Sequence, residues 1–229
     1  FDLGWDVNVG MLRLLLERCR VLGTKPKFVN ASSTAAFGPN ARVEDDTPTR
    51  PMSSYGAQKA IGEYFVNDYS RKGFVDGLSL RLPTVVIRPG KPNKASTGFF
   101  SGILREPLAG QRAVCPVPTS ASVWMNSPSS VTSAIVHALD LPPSTCGPSG
   151  WRSITLPGVQ ASVGEMISAL DRAGGDTSLI DHEPNPTIAD IVSTIPSNFI
   201  TPAAEALGFP PADSLEAIID SHRREEGLL

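Results

Sequence analysis

The sequence predicts an α/β protein built on a parallel sheet with crossover helices. Helix-like and strand-like segments alternate through the first 90 residues, which is typical of parallel strands joined by helices. The 229 residues are 41% hydrophobic and 19% charged, as in packed globular chains. The chain is therefore long enough for one sizeable domain, or for one domain with a small appended lobe.

The elements of the first half follow from apolar spacing and from the residues that stop or start a helix. Gly23 is a natural helix stop, and Ser53 or Ser54 is a natural N-cap for the helix that follows a polar, proline-rich loop at 38–54. In chain order, the predicted elements are a helix at 5–22, a strand at 27–32, a helix at 55–72 and a strand at 78–87.

The second half is less regular. Residues 91–122 are predicted to be mainly loop, 142–150 to be a linker, and 184–200 to be a stretch broken by prolines. The predicted elements here are helices at 99–108, 127–139, 162–174 and 202–221, and a strand at 152–156.

Composition excludes several classes of function. The formal net charge is −3 with no long run of like charge, which argues against a nucleic-acid or anionic-membrane partner. Cys19, Cys115 and Cys146 form no CxxC pair, so we expect free, mostly buried thiols and no disulfide. The three histidines are dispersed, which argues against a metal site. No apolar run approaches the roughly 18 residues that a membrane span needs. We expect a soluble, cytoplasmic protein.

Tyr55 and Lys59 form a YxxxK pair at the start of the second predicted helix. Spacing of four residues places the phenol and the ammonium on one helical face. A nearby ammonium favours the phenolate, so Lys59 is expected to lower the Tyr55 pKa and prepare it for proton transfer. The alternative is a tyrosine packed at a helix end beside a solvated lysine.

Ser32, Ser33 and Thr34 end the first predicted strand, 22 positions before Tyr55 in the case of Ser33. Sites of α/β sheets lie at the carboxyl edge of their strands. A hydroxyl there can hold a substrate alcohol or carbonyl beside the phenol, or it can simply cap a turn.

The strings FVNASSTAAFG, PTRPMSSYGAQKAIGE and LRLPTVVIRPG together resemble the extended short-chain dehydrogenase/reductase superfamily, in its NAD-dependent epimerase/dehydratase group. The segments FDLGWDVNVGMLRLLLE and RPGKPNKASTGFFSGILREPL most resemble its D-erythronate dehydrogenase branch. The resemblance implies an incomplete Rossmann-like parallel sheet plus a small C-terminal α/β substrate lobe. Residues 1–90 would form the first domain and 91–229 the lobe, with 123–157 returning to the first domain.

The resemblance also implies a site. Ser33 would orient the reacting hydroxyl, Tyr55 would transfer the proton, and Lys59 would bind the nicotinamide ribose and lower the Tyr55 pKa. The implied cofactor is NAD, with NADP not excluded, contacted by Asn8, Tyr55, Lys59, Pro83 and Val85. The implied substrate contacts are Ser33, Tyr55, Thr84 and Arg88. Groups suited to a small carboxylate are Lys91, Asn93, Lys94 and Arg105.

Two features depart from this family pattern. Met11 and Leu12 occupy positions where relatives carry Gly-Thr, and these bulkier side chains would either crowd the cofactor side of the helix or pack. No GxGxxG or GxxGxxG spacing occurs among the 20 glycines, although backbone amides of such a turn hold the cofactor's pyrophosphate. We therefore expect the N-terminal dinucleotide-binding half to be absent from this chain.

The function predicted is oxidation of a secondary alcohol of a small sugar acid, similar to D-erythronate, by Tyr-mediated proton transfer and hydride transfer to nicotinamide. The alternatives are a sugar-nucleotide epimerase or dehydratase of the same superfamily and a truncated, non-catalytic remnant of the fold. The expected partners are a small-molecule substrate and a second copy of the chain. Helices 5–22 and 55–72 carry apolar side chains on more than one stripe, which predicts a homodimer through them.

Overall fold

A computed structural model describes residues 1–90, 95–147 and 150–227, and within them the chain has the predicted α/β fold. The helices are α1 Asp2–Trp5, α2 Met11–Leu22, α3 Ser54–Arg71, α4 Phe99–Leu108, α5 Pro128–Asp140, α6 Val163–Arg172, α7 Pro186–Ser193, α8 Pro202–Ala206 and α9 Leu215–Glu225. The strands are β1 Lys27–Ser33, β2 Asp76–Leu82, β3 Thr84–Val85, β4 Ala113–Cys115, β5 Ser122–Asn126, β6 Ser153–Thr155, β7 Val159–Ser162 and β8 Ile180–His182.

The first sheet has the order β1-β2-β6 and is parallel throughout. Its register pairs Ser32 with Arg81 and Ser33 with Leu82, so the carboxyl ends of β1 and β2 lie side by side. In the second sheet β5 pairs in parallel with β3 and antiparallel with β7, and β4 and β8 form a separate parallel pair. The alternation of helix and strand thus produces the parallel arrangement that the sequence predicts.

The strand predicted at 78–87 is wrong as a single element. β2 ends at Leu82, and the chain leaves the first sheet to form β3 in the second. Pro83 occupies the transition, and a proline cannot donate a ladder hydrogen bond from its nitrogen. Thr84 and Val85 are therefore carried into a new sheet directly beyond the end of β2.

The two N-terminal helices match their predictions closely. The first comprises α1, a π-helical turn over Asp6–Gly10, and α2, which ends at Gly23 with a left-handed φ of 68°. Leu16 of α2 and Val66 of α3 are buried against each other's helix in one apolar cluster, and Leu12 packs beside them. The Leu12 side chain, which stands where relatives carry a smaller residue, thus packs against α3.

Two predictions for the C-terminal half are corrected. Residues 184–200 contain α7, because Asn185 caps the helix and Pro186 occupies its first turn, where a proline is tolerated. The single helix predicted at 202–221 is two helices, α8 and α9, since Gly208 has a left-handed φ of 76° and two prolines follow.

The three thiols are free, but they are not mostly buried: Cys115 is buried, Cys19 is half-buried and Cys146 is exposed. No helix in the described ranges is both long and apolar enough to cross a membrane. Across the same ranges, no three His, Cys, Asp or Glu side chains come together as ligands for a metal ion.

Asp76 ties the start of β2 to three neighbouring segments. It forms ion pairs with Lys27 at 2.8 Å and Arg152 at 3.0 Å, and it accepts a hydrogen bond from the Ser144 amide at 3.0 Å. Partial burial of the carboxyl by itself raises its pKa, but these partners together lower the pKa of Asp76 from 3.8 to about 2.

The depressed pKa makes this anchor dependent on pH. Because the folded state holds the carboxylate more tightly than the unfolded chain, Asp76 contributes about 2 kcal/mol above pH 4, and this is lost as the pH falls towards 2. Asp76→Asn should therefore lower the free energy of unfolding at pH 7 by that amount or more, with the deficit against wild type shrinking in acid. Denaturant unfolding across pH checks this, with the exposed Asp171→Asn as control. A deficit that does not change with pH would contradict it.

Candidate active site

A cavity of about 630 Å³ opens at the carboxyl ends of β1 and β2. The predicted site residues that line it are Ser33, Tyr55, Lys59, Pro83, Thr84, Val85 and Arg88. A second cavity, of about 710 Å³, is bordered by α7 and residues 39–41, and none of the described residues in its wall is charged. The first cavity is therefore the candidate active site, because it brings serine hydroxyls, a phenol and two cationic side chains together.

The structure separates the roles of the two adjacent serines. Ser32 is 2% exposed, and its hydroxyl donates to the Glu63 carboxylate at 2.5 Å. Ser33 is half-buried at the cavity wall, and its hydroxyl accepts from the Ala35 amide at 3.2 Å. Ser33 is thus the member of the pair whose hydroxyl is available to a bound molecule.

Tyr55 reaches the cavity from the first turn of α3. Ser53 caps this helix by accepting from the Gly56 amide at 3.0 Å. A β-carbon at Gly56 would lie 2.3 Å from the Ala35 carbonyl oxygen, so the absence of a side chain there lets the helix start press against the segment that follows Ser33. The dipeptide Tyr55-Gly56 therefore fixes how closely the phenol approaches the end of β1.

Burial raises the pKa of the Tyr55 phenol above its ordinary value of 10, although the Ser33 hydroxyl and the positive charge of Arg88 act in the opposite direction. The predicted lowering of this pKa by Lys59 is not seen. The Lys59 ammonium lies 5.5 Å from the centre of the Tyr55 ring and donates to the Ala31 carbonyl at 3.0 Å. Burial in turn lowers the pKa of Lys59.

Arg88 brings a cation to the cavity wall. Its backbone is fixed on both sides, since the amide donates to the Ser101 hydroxyl at 3.3 Å and the carbonyl accepts from Arg105 at 2.6 Å. In the portion of the chain that the structure describes, no carboxylate lies within ion-pair distance of the Arg88 guanidinium. The guanidinium is thus available to an anionic ligand.

Several predicted residues lie elsewhere. Asn8, in the π-helical turn, is hydrogen-bonded to the Gln58 side chain at 2.9 Å and does not line the cavity. Arg105 forms an ion pair at 2.6 Å with Glu106, its neighbour in α4. Lys91, Asn93 and Lys94 lie outside the described residues.

Sequence reasoning missed part of the wall. Ile191 and Ile195, at and just beyond the end of α7, line the cavity together with Ala95, Ser96 and Thr97. The prolines of 184–200 predict an irregular stretch, not a helix. An Asn-Pro pair followed by apolar residues at 188, 191 and 192 was the available signal.

Comparison with protein families gives a match over residues 2–127 to the NAD dependent epimerase/dehydratase family. The chain is 43% identical to the D-erythronate dehydrogenase of Cupriavidus necator, over all of this chain and 71% of that protein. It is also 43% identical to the D-erythronate dehydrogenase of Haemophilus influenzae, over 95% of this chain and 70% of that protein.

Among solved structures, a nucleoside-diphosphate-sugar epimerase from Agrobacterium tumefaciens superposes with a TM-score of 0.90 at 42% identity, over 99% of this chain and 68% of that one. L-threonine 3-dehydrogenase from Trypanosoma brucei superposes with a TM-score of 0.86 at 22% identity, over 99% of this chain and 70% of that one. The second likeness concerns the fold alone.

The opposing influences on Tyr55 make a spectroscopic prediction. In a titration followed by ultraviolet difference absorbance, the component that Tyr55→Phe removes should ionise above pH 10, and Ser33→Ala should move it higher because a group that lowers the phenol pKa is lost. Ser96→Ala, which removes another hydroxyl from the same wall, is the control. A Tyr55 component that moves to lower pH in Ser33→Ala would contradict this reading.

Proposed function

Because the chain belongs to the NAD dependent epimerase/dehydratase family, we propose that its cavity oxidises a secondary alcohol of a small sugar acid, with D-erythronate as the first candidate. Membership of this family makes the protein an enzyme that uses a nicotinamide cofactor. The observation that carries the proposal is the meeting of the Ser33 hydroxyl, the Tyr55 phenol and the Arg88 guanidinium in one cavity. The two relatives named for D-erythronate support the choice of substrate.

The donor set of the cavity fits the nicotinamide end of a dinucleotide. Lys59 offers an ammonium to ribose hydroxyls, and the backbone of Pro83 and Val85 borders the same space. NAD, when bound, supplies the acceptor for a hydride.

The chain's own residues would carry the proton chemistry. Ser33 would hold the alcohol oxygen, and Tyr55 would take the hydroxyl proton as the carbon loses its hydride. The raised pKa of Tyr55 favours the protonated phenol, so oxidation should accelerate with rising pH and the reverse reduction should slow. Arg88 would hold the substrate carboxylate and so direct the adjacent alcohol towards Tyr55.

A second candidate function is epimerisation of a sugar nucleotide. The 42% identical structure named as a nucleoside-diphosphate-sugar epimerase favours it. The two functions differ in outcome: a dehydrogenase releases reduced cofactor in proportion to product, whereas an epimerase shows no net reduction. Incubating the protein with D-erythronate, and separately with a nucleotide sugar, distinguishes them.

The proposed assembly is a homodimer through α2 and α3. Leu14 and Leu15 of α2 are largely exposed, as is Tyr64 of α3, whereas Leu16 and Val66 fill the contact between the two helices. The pair therefore presents an outward apolar surface beyond the one that it uses internally. A second copy of the same surface would cover it.

Tyr55→Phe tests the proton transfer. Loss of the phenolic hydroxyl should lower kcat for alcohol oxidation by a factor of about 10² to 10⁴, the usual contribution of a general base. The matched control is Tyr64→Phe on the same helix, whose exposed ring lies 5.1 Å from that of Trp151 and does not line the cavity. Formation of reduced nicotinamide is the measurement. Near-normal turnover in Tyr55→Phe would remove this residue from the mechanism.

Arg88→Met tests the substrate class. Charge-assisted hydrogen bonds contribute about 1.5–3 kcal/mol, so KM for a sugar acid should rise roughly 10- to 100-fold, while KM for NAD stays close to wild type. A neutral polyol of the same chain length is the control substrate, since it has no carboxylate to lose. Equal changes in KM for the acid and the polyol would show that Arg88 does not bind the carboxylate.

A further inference from the structure

Helix α3 carries a third polar residue in register with Tyr55 and Lys59. Glu63 follows Lys59 by four residues, as Lys59 follows Tyr55, so the three share one helical face. Glu63 is 1% exposed and does not line the cavity. The proposed chemistry gives this buried carboxylate no role.

Glu63 is fully occupied by two partners from the sheet. Arg81 of β2, which is 4% exposed, donates to both carboxylate oxygens at 2.7–3.1 Å. Ser32 of β1 donates to Oε1 at 2.5 Å. Ser32 and Arg81 are opposite one another in the strand register, so a single carboxylate on α3 holds the ends of both strands.

The same ion pair also contacts the chain on the C-terminal side of Ser33, through Phe37. The Arg81 guanidinium lies 4.5 Å from the centre of the Phe37 ring, within the range of a cation–π contact. Ser32 immediately precedes Ser33 and Phe37 follows it by four residues. The short segment that presents the Ser33 hydroxyl is therefore held at both ends by groups that meet at Glu63 and Arg81.

We propose that Glu63 and Arg81 are positioning residues, which hold the Ser33 segment against α3 through Ser32 and Phe37 and so fix the Ser33 hydroxyl relative to Tyr55. Buried ion pairs are a poor source of net stability but constrain geometry strongly, because neither charge can move without losing its partner. The inference rests on the proposed roles of Ser33 and Tyr55. It assigns no contact with substrate or cofactor to either member of the pair.

Ser32→Ala is the decisive variant, since it removes the link to β1 and leaves the Glu63–Arg81 pair in place. Direct replacement of Glu63 would strand a buried guanidinium and could prevent folding. The matched control is Ser70→Ala, because Ser70 is also a buried serine of the α3–sheet contact. Its hydroxyl donates to the Val66 carbonyl at 2.6 Å and accepts from the Gly77 amide of β2 at 3.0 Å, at the opposite end of the helix.

Both variants should lose a similar amount of thermal stability, but their kinetics should differ. Ser32→Ala should lower kcat for alcohol oxidation by about tenfold or more, since small misplacements of reacting groups are costly. Its KM for NAD should be unchanged. Its pH–rate profile should move to higher pH, in the same direction as the Tyr55 titration in Ser33→Ala, because a displaced Ser33 no longer lowers the Tyr55 pKa. Ser32→Thr, which restores a hydroxyl, should recover most of the rate.

The outcomes separate this inference from the function on which it rests. An active Tyr55→Phe variant would overturn the proposed function itself. If Tyr55→Phe is inactive but Ser32→Ala matches Ser70→Ala in both kcat and pH profile, only the positioning role is overturned. Failure of Ser32→Thr to recover any rate would overturn it as well.

Discussion

The buried ion pair between Glu63 and Arg81 joins β2 to α3, the helix that supplies Tyr55 and Lys59 to the cavity. Separating two such charges in a protein interior costs about 3–5 kcal/mol, because each is left without its partner and without water. This pair fixes the register of α3 against β2, and the positions of the other polar residues on the same face of α3 follow from that register. Lys59 lies one turn nearer the cavity and meets the Ala31 carbonyl, and Tyr55 lies one turn further. Because α3 is anchored near its middle, the position of its first turn, which carries Tyr55, is fixed as well.

Much of this arrangement was predictable because it depends on short-range sequence patterns. The α3 face and its serine cap, the hydroxyl pair that ends β1, and the glycine that ends α2 all depend on near neighbours in the chain. The missed features depend on tertiary context. Pro186 starts a helix instead of breaking one because Asn185 can cap it, and the division of one strand into β2 and β3 depends on a second sheet that the sequence pattern does not reveal. Likewise, residue spacing predicts an ammonium beside Tyr55 and hence a lowered pKa. The pKa is raised instead because the phenol is buried, and burial cannot be inferred from spacing.

Burial acts on the two titrating groups of the cavity in opposite directions and with one result. It raises the pKa of the Tyr55 phenol and lowers that of the Lys59 ammonium, so each is shifted towards its neutral form. The Arg88 guanidinium keeps its charge under any such pressure. Arg88, which follows β3 at the cavity wall, is therefore the cation whose charge burial does not weaken, and it suits an anionic small molecule.

The path of the chain through β1, α3, β2 and β3 has an evolutionary consequence. Ser33, Tyr55 and Arg88 all belong to one uninterrupted stretch of sequence, whereas the apolar wall at Ile191 and Ile195 comes from a segment about a hundred residues later. These three residues can thus be inherited as a single block while the distant apolar wall changes. New substrates could arise by altering α7 and its flanks, with the residues proposed for proton transfer left intact.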